Sequence, residues 1–165
     1  MHGQTTDADW RIWLEEHGAK LWLFARQKAR SEADAEDLMQ EAIIEAARKF
    51  NGLPKPSIVF GLIHRRAIDW ARREDRRAAR EGTVMNDAPA AWFDVTSEQR
   101  ERAQFIQEAL NKLPESQREV ITLKIWADLT FSEIAEALGI PANTAASRYR
   151  YGLESLRDLT KEVLA

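Results

Sequence analysis

Apolar residues in this chain recur at three- and four-residue intervals over most of its length, and no stretch makes a convincing alternating strand. That periodicity is the signature of amphipathic helices and excludes half-buried strands, so the fold class is all-α. Trp10, Trp13, Leu14, Gly18, Leu21, Ala25 and Lys28 fall on one side of a first helix. The stretch "SEAD" at Ser31 to Asp34 caps the start of a second helix that turns Leu38, Met39, Ala42, Ile43, Ala46 and Ala47 inward. The two should pack as an antiparallel hairpin. The segment "NGLPKPS", with Gly52, Pro54 and Pro56, breaks the pattern, and Ser57 is the expected cap of a third helix, "IVFGLIHRRAIDWARREDRRAAR".

Composition changes at Glu81 to Val95, "EGTVMNDAPAAWFDV", which reads as a linker between two helical domains and carries the apolar pair Trp92 and Phe93. Beyond it a hydroxyl residue stands three positions before Glu or Gln three times: "TSEQ" at Thr96, "SQRE" at Ser116 and "TFSE" at Thr130. Each is expected to open a helix, because the hydroxyl and the acid or amide can satisfy each other's free backbone N–H groups. Gly139 stands where a helix would end in a left-handed residue, and a fourth helix follows Pro141.

The last two helices have the spacing of a helix-turn-helix. Ile134, Ala135 and Leu138 point inward from the first, Gly139 makes the turn, and the second divides by angle. Ala142, Ala145, Tyr149, Leu153 and Leu156 share the packing side, whereas Asn143, Ser147, Arg150, Tyr151 and Glu154 face away. Arg150 and Ser147 are suited to base edges in a major groove; Thr144 and Arg148 lie toward the flank, where phosphates run.

Charge is distributed unevenly. The chain carries a formal charge of −3, which argues against indiscriminate coating of nucleic acid, yet seven arginines against Asp69, Glu74 and Asp75 leave +4 between positions 65 and 80. In the third helix Arg65, Arg72, Arg76 and Arg80 lie opposite Phe60, Ile63, Ala67, Trp70 and Ala71, with Arg66, Arg73 and Arg77 on the shoulder. Such a ridge can follow a phosphate backbone. The second helix is its electrostatic opposite: Glu32, Asp34, Glu36, Asp37, Glu41 and Glu45 are six acids with no base between 31 and 45, a surface suited to a basic protein partner.

These segments resemble the extracytoplasmic-function sigma factors of bacterial RNA polymerase. "AEDLMQEAIIEAARKF" is similar to regions 2.1 to 2.2 of that family, "GLIHRRAIDWARRE" to regions 2.3 and 2.4, and "LPESQREVITLKIWADLTFSEIAEALGIPANTAASRYRYGLESLR" to region 4. The resemblance implies a region 2 domain over 1–80, a linker over 81–95 and a region 4 domain over 96–165. It further implies that Asp37, Gln40 and Glu41 bind the clamp helices of the β′ subunit, that the arginine-rich third helix binds and helps open the −10 element, and that the recognition helix reads the −35 element. The region 4 domain would dock on the β flap. The expected partners are core polymerase, promoter DNA and an anti-sigma factor, with no cofactor and no catalysis.

The chain departs from the family pattern in a shorter loop before the third helix, in Ile58 and Arg65 where Trp and Asn are frequent, and in Ala145 and Ala146 where Val and a basic residue are frequent. A sigma-like decoy that captures an anti-sigma factor and a dimeric helix-turn-helix repressor are the alternative functions. His2, His17 and His64 are scattered and no phosphate-binding glycine loop or zinc motif accompanies them, so an enzyme is the weakest reading. The absence of cysteine agrees with a reducing compartment, and the N-terminal sequence lacks the zones of a signal peptide, so the expected location is the cytoplasm, away from the membrane.

Overall fold

The computed structural model describes residues 4–81, 92, 93, 96 and 98–164, and in them seven helices and no strand. The chain divides into two compact units, Met1–Ala90 and Ala91–Ala165. Most of the predicted linker, 82–91 together with 94 and 95, lies outside the described residues.

In the first unit α1 (Asp7–Lys28) and α2 (Glu32–Phe50) pack with α3 (Pro56–Glu81). Thr6 and Asp9 close a reciprocal capping box at the start of α1. Hydrogen bonds from the Thr6 backbone N–H, and then from its hydroxyl, hold the Asp9 carboxyl below its ordinary value. Asp9 therefore supports α1 fully above its unfolded pKa, and that support is lost as the pH falls through the lower folded value. Ser31 caps α2 as expected by accepting from the Asp34 N–H, and Asn51 ends it in the left-handed region at φ 51°.

The core of this unit is built from Leu21, Phe24, Leu38, Phe60 and Ile63, all fully buried, with Phe24 and Phe60 edge to face at 5.6 Å between ring centres. Leu14 and Ala71, expected inward, are exposed. Helix α1 turns Leu23 and Phe24 into the core instead, and α3 turns in Val59 and Leu62. Ser57 does not cap α3. The helix begins one residue earlier at Pro56, whose fixed φ and missing N–H suit a first helical position, and Ser57 is buried inside the first turn.

The short connection between α2 and α3 is fastened to α1. The indole Nε1 of buried Trp13 donates to the Pro54 carbonyl at 3.0 Å, across 41 positions of sequence. Replacing Trp13 with Phe removes the donor and leaves a buried carbonyl unpaired, an expected loss of about 1–3 kcal/mol of stability measurable by urea unfolding. An unchanged unfolding midpoint would show that this bond is dispensable.

The second unit holds α4 (Arg100–Lys112), α5 (Glu115–Ile125), α6 (Phe131–Leu138) and α7 (Ala142–Leu164). Of the three predicted capping boxes only Thr130 with Glu133 forms, in both directions. Thr96 lies four residues before α4, which starts without a side-chain cap after Gln99, and Ser116 sits inside α5 because Pro114, extended at ψ 143°, lets the helix begin at Glu115. Leu110, Val120, Ile121, Leu123 and Ile134 fill the interior. Trp92 and Phe93 belong to this unit: the Trp92 N–H donates to Gln107 Oε1 at 2.9 Å, the Arg118 guanidinium carbon lies 6.0 Å from the Trp92 ring centre, and Phe93 packs 6.2 Å from Trp126. The apolar pair is thereby an anchor of the second unit.

Helix α7 packs on α5 through Gly152, where a Cβ would stand 2.5 Å from Ile121 Cδ1. The predicted inward position, Leu153, is exposed instead, as is Ala142. The expected cost of Gly152→Val is about 1–3 kcal/mol from overpacking against a fully buried Ile121. Chemical unfolding of the variant checks this, and unaltered stability would mean that the two helices separate without penalty.

Candidate functional site

The helix-turn-helix is assembled from α6 and α7 of the second unit. Ile134, Ala135, Ala137 and Leu138 are buried on the short first helix, and Gly139 turns the chain at φ 68°, a conformation glycine adopts without the steric cost borne by other residues. Ala145 of α7 is fully buried, and Tyr149 lies edge to face on Phe131 at 5.5 Å. Tyr149 is thus a packing residue, which takes its ring away from any base. Apart from Ala142 and Leu153, the residues that α7 leaves outward are polar: Asn143, Arg150, Tyr151 and Glu154 are exposed, and Thr144, Ser147 and Arg148 are half-buried along the edges. The Arg150 guanidinium carbon lies 5.2 Å from the centre of the Tyr151 ring, so the two exposed side chains form one cation–π pair on the open face. A planar guanidinium held over a ring is well prepared for bidentate hydrogen bonding.

The arginine ridge lies on α3 of the first unit. Arg65, Arg72, Arg73, Arg76 and Arg80 are exposed, and none of them meets a carboxylate among the described residues. Arg77 approaches Glu74 at 4.0 Å, and Arg30, in the bend between α1 and α2, approaches the same carboxylate at 3.8 Å, so part of the ridge charge is offset there. Arg66 differs from its neighbours. It is half-buried, its Nη1 donates to Glu41 at 2.9 Å and its Nε to Glu45 at 3.2 Å, so its charge is spent on α2.

The acidic face of α2 holds the other predicted residues together. Asp37 is exposed, Gln40 donates to Glu36 one turn earlier at 3.2 Å, and Glu41 is held by Arg66. Beside them a groove between α1 and α2 has an apolar floor of Leu14, Trp22, Met39 and Ile43, with Glu36 and Gln40 on its rim. An apolar trough edged by the Glu36 carboxylate and the Gln40 amide accepts a helix with apolar side chains and a basic or hydrogen-bonding one. Sequence reasoning reached the acids but not the floor, since it turned Leu14, Met39 and Ile43 into the core. Among the described residues no group of histidine and carboxylate side chains is placed to hold a metal ion, and no helix is long and apolar enough to cross a membrane.

Comparison with known families matches each unit to a model. Residues 13–77 match sigma-70 region 2, and residues 104–156 match sigma-70 region 4. The chain belongs to the extracytoplasmic-function sigma factors of the sigma-70 family. This sigma factor is 28% identical to the RNA polymerase sigma factor SigV of Bacillus subtilis over 98% of both chains. It is 35% identical to the ECF RNA polymerase sigma factor RpoE of Cereibacter sphaeroides over 60% of this chain and 54% of that one. Among solved structures its fold is similar to that of the sigma factor RpoE of Bartonella quintana, determined in complex with the anti-sigma factor NepR. The TM-score is 0.73 and the identity 23%, over 93% of this chain and 97% of that one. It is also similar to CnrH, solved with the cytosolic domain of CnrY, with a TM-score of 0.64 and 19% identity over 95% and 90% of the two chains. The region 2 match spans the acidic face and most of the arginine ridge, and the region 4 match spans the helix-turn-helix.

Proposed function

We propose that this sigma factor binds core RNA polymerase through the α2 face that carries Asp37, Gln40 and Glu41 and directs it to promoters with two separate DNA surfaces. The clamp helices of β′ occupy the groove beside α2, their basic side chains meeting Glu36 and the adjoining acids of α2 and their apolar side chains the floor. The arginines of α3 hold the phosphates of the −10 element as it opens. Asn143, Ser147, Arg150 and Tyr151 of α7 read base edges of the −35 element, flanked by Thr144 and Arg148 on phosphates, while the second unit rests on the β flap.

The observation that carries this reading is the coexistence, in one chain, of a helix-turn-helix with an exposed Arg150–Tyr151 pair and a separate unit with five exposed arginines free of carboxylates among the described residues. A dimeric repressor has use for the first and none for the second. The test is co-elution with purified core polymerase followed by mobility-shift titration of promoter fragments. At physiological salt, where charge-driven binding by the free chain is weak, the expected result is a complex that shifts promoter DNA only when both sigma factor and core are present. Failure to co-elute with core would remove the reading and favour a decoy that engages an anti-sigma factor alone.

An anti-sigma factor is proposed as a further partner, competing for the acid-rimmed groove of α1 and α2. The reading is supported by the two solved sigma-fold relatives, each determined with a second protein. Release of bound core by such a competitor is the expected outcome, and simultaneous binding of both would count against a shared site.

A further inference from the structure

The same ion pair serves both proposed faces of the first unit. Glu41 belongs to the acidic face of α2 and Arg66 to the basic shoulder of α3, and they meet at 2.9 Å, with Glu45 completing the arrangement at 3.2 Å. The three side chains are 46%, 33% and 44% exposed respectively, close enough to solvent for an incoming group to reach them. Two carboxylates on one guanidinium occupy its Nη1 and Nε donors and offset its charge. The groove around them is lined by Ile44, Arg48 and Lys49 as well, and Ile44 offers an apolar foothold at 49% exposure.

We infer that Arg66 is a shared element between the protein-binding and DNA-binding faces. A partner that presents a lysine or arginine to Glu41 and Glu45 together displaces Arg66 from both carboxylates and frees it for a DNA phosphate. The inference rests on the reading that α3 is a DNA surface. The partner's chemistry is fixed by the groove: a basic side chain to compete for the carboxylate, next to an apolar one over Ile44. Until that partner arrives, Arg66 is held on α2 and the chain's affinity for phosphates is reduced by one charge. Linkage then requires the converse, so that DNA holding Arg66 leaves Glu41 open and strengthens the partner's binding by the same factor.

The test uses the full chain and a labelled duplex, titrated over a range of low salt concentrations, with the partner's action imitated by neutralising the acids. Glu41→Gln with Glu45→Gln is expected to steepen the dependence of log K on log salt by about 0.9, the increment for one added phosphate contact. Adding Arg66→Ala to that variant should abolish the gain, and Arg66→Ala should lower affinity more in the glutamine background than in the wild-type chain. If the gain persists without Arg66, it comes from the general loss of negative charge and the inference is overturned, as it is if no gain occurs. Arg66→Gln, which keeps the aliphatic stem, replaces the alanine variant should circular dichroism reveal lost helix. A parallel Arg72→Ala, Arg76→Ala chain separates the two levels. Weaker duplex binding by that chain without an Arg66-dependent gain sinks the inference alone, whereas unchanged binding removes α3 as a DNA surface and the inference with it.

Discussion

Replacing Asp37 and Gln40 together with alanine is expected to lower the affinity for core RNA polymerase by about 2–5 kcal/mol, the usual cost of removing one side of desolvated charged and hydrogen-bonded contacts. The fold should be insensitive to the change. Both side chains are exposed, and among the described residues Asp37 has no partner and Gln40 donates to Glu36 alone. Surface changes of that kind shift stability by about 0.5 kcal/mol or less. Glu41 is the less informative target, because its removal also releases Arg66 and mixes two effects. Measuring core affinity by fluorescence anisotropy, beside thermal unfolding of the free chain, checks the prediction. Undiminished core binding would move the polymerase contact off this part of α2.

The two proposed DNA surfaces should respond differently to loss of an arginine. The α3 arginines offer charge to the backbone, so Arg72→Ala with Arg76→Ala is expected to weaken all promoters about equally and to flatten the salt dependence by about 0.9 per lost phosphate contact. Arg150 lies at the exposed centre of α7, oriented by Tyr151. Its replacement with alanine is expected to cost about 1–3 kcal/mol on the preferred −35 sequence and to relax choice at one or two positions. A randomised −35 library bound by holoenzyme at two salt concentrations distinguishes these outcomes. If Arg150→Ala changes the salt slope but leaves sequence preference intact, α7 holds the backbone through this residue, and base choice lies with Asn143, Ser147 and Tyr151.

What the sequence disclosed and what it hid follow the range of the interactions involved. The all-α class, the Ser31 cap, the Thr130–Glu133 box and the Gly139 turn are each decided within a few residues, and each is legible for that reason. Thr96 and Ser116 satisfy the same capping pattern without capping anything, since a proline or an alternative turn nearby can shift a helix start without changing the pattern. Thr6 with Asp9 is a further box that lies outside the pattern, because an Asp stands where the pattern has Glu or Gln. Angular reckoning on α7 placed Leu153 inward, but the side of a helix that packs is set by its partner: Ile121 of α5 meets the backbone at Gly152 and leaves Leu153 outside. The candidate site was legible as two charged faces, because runs of one sign are visible in a string. Their connection was not. Arg66 lies 25 and 21 positions from Glu41 and Glu45, and only the packing of α3 on α2 brings them together.

The central claim is that one chain supplies polymerase with both promoter elements, and transcription of fragmented host genomic DNA by purified core with and without this sigma factor tests it most directly. Sequencing the 5′ ends of the transcripts should yield start sites that appear only with the sigma factor, preceded by a common −35 motif and a common −10 motif at fixed spacing. Arg150→Ala should blur the first motif, and Arg72→Ala with Arg76→Ala should lower transcription from every start site without blurring either. Transcripts no more abundant than with core alone, or start sites that share no upstream motif, would contradict the claim.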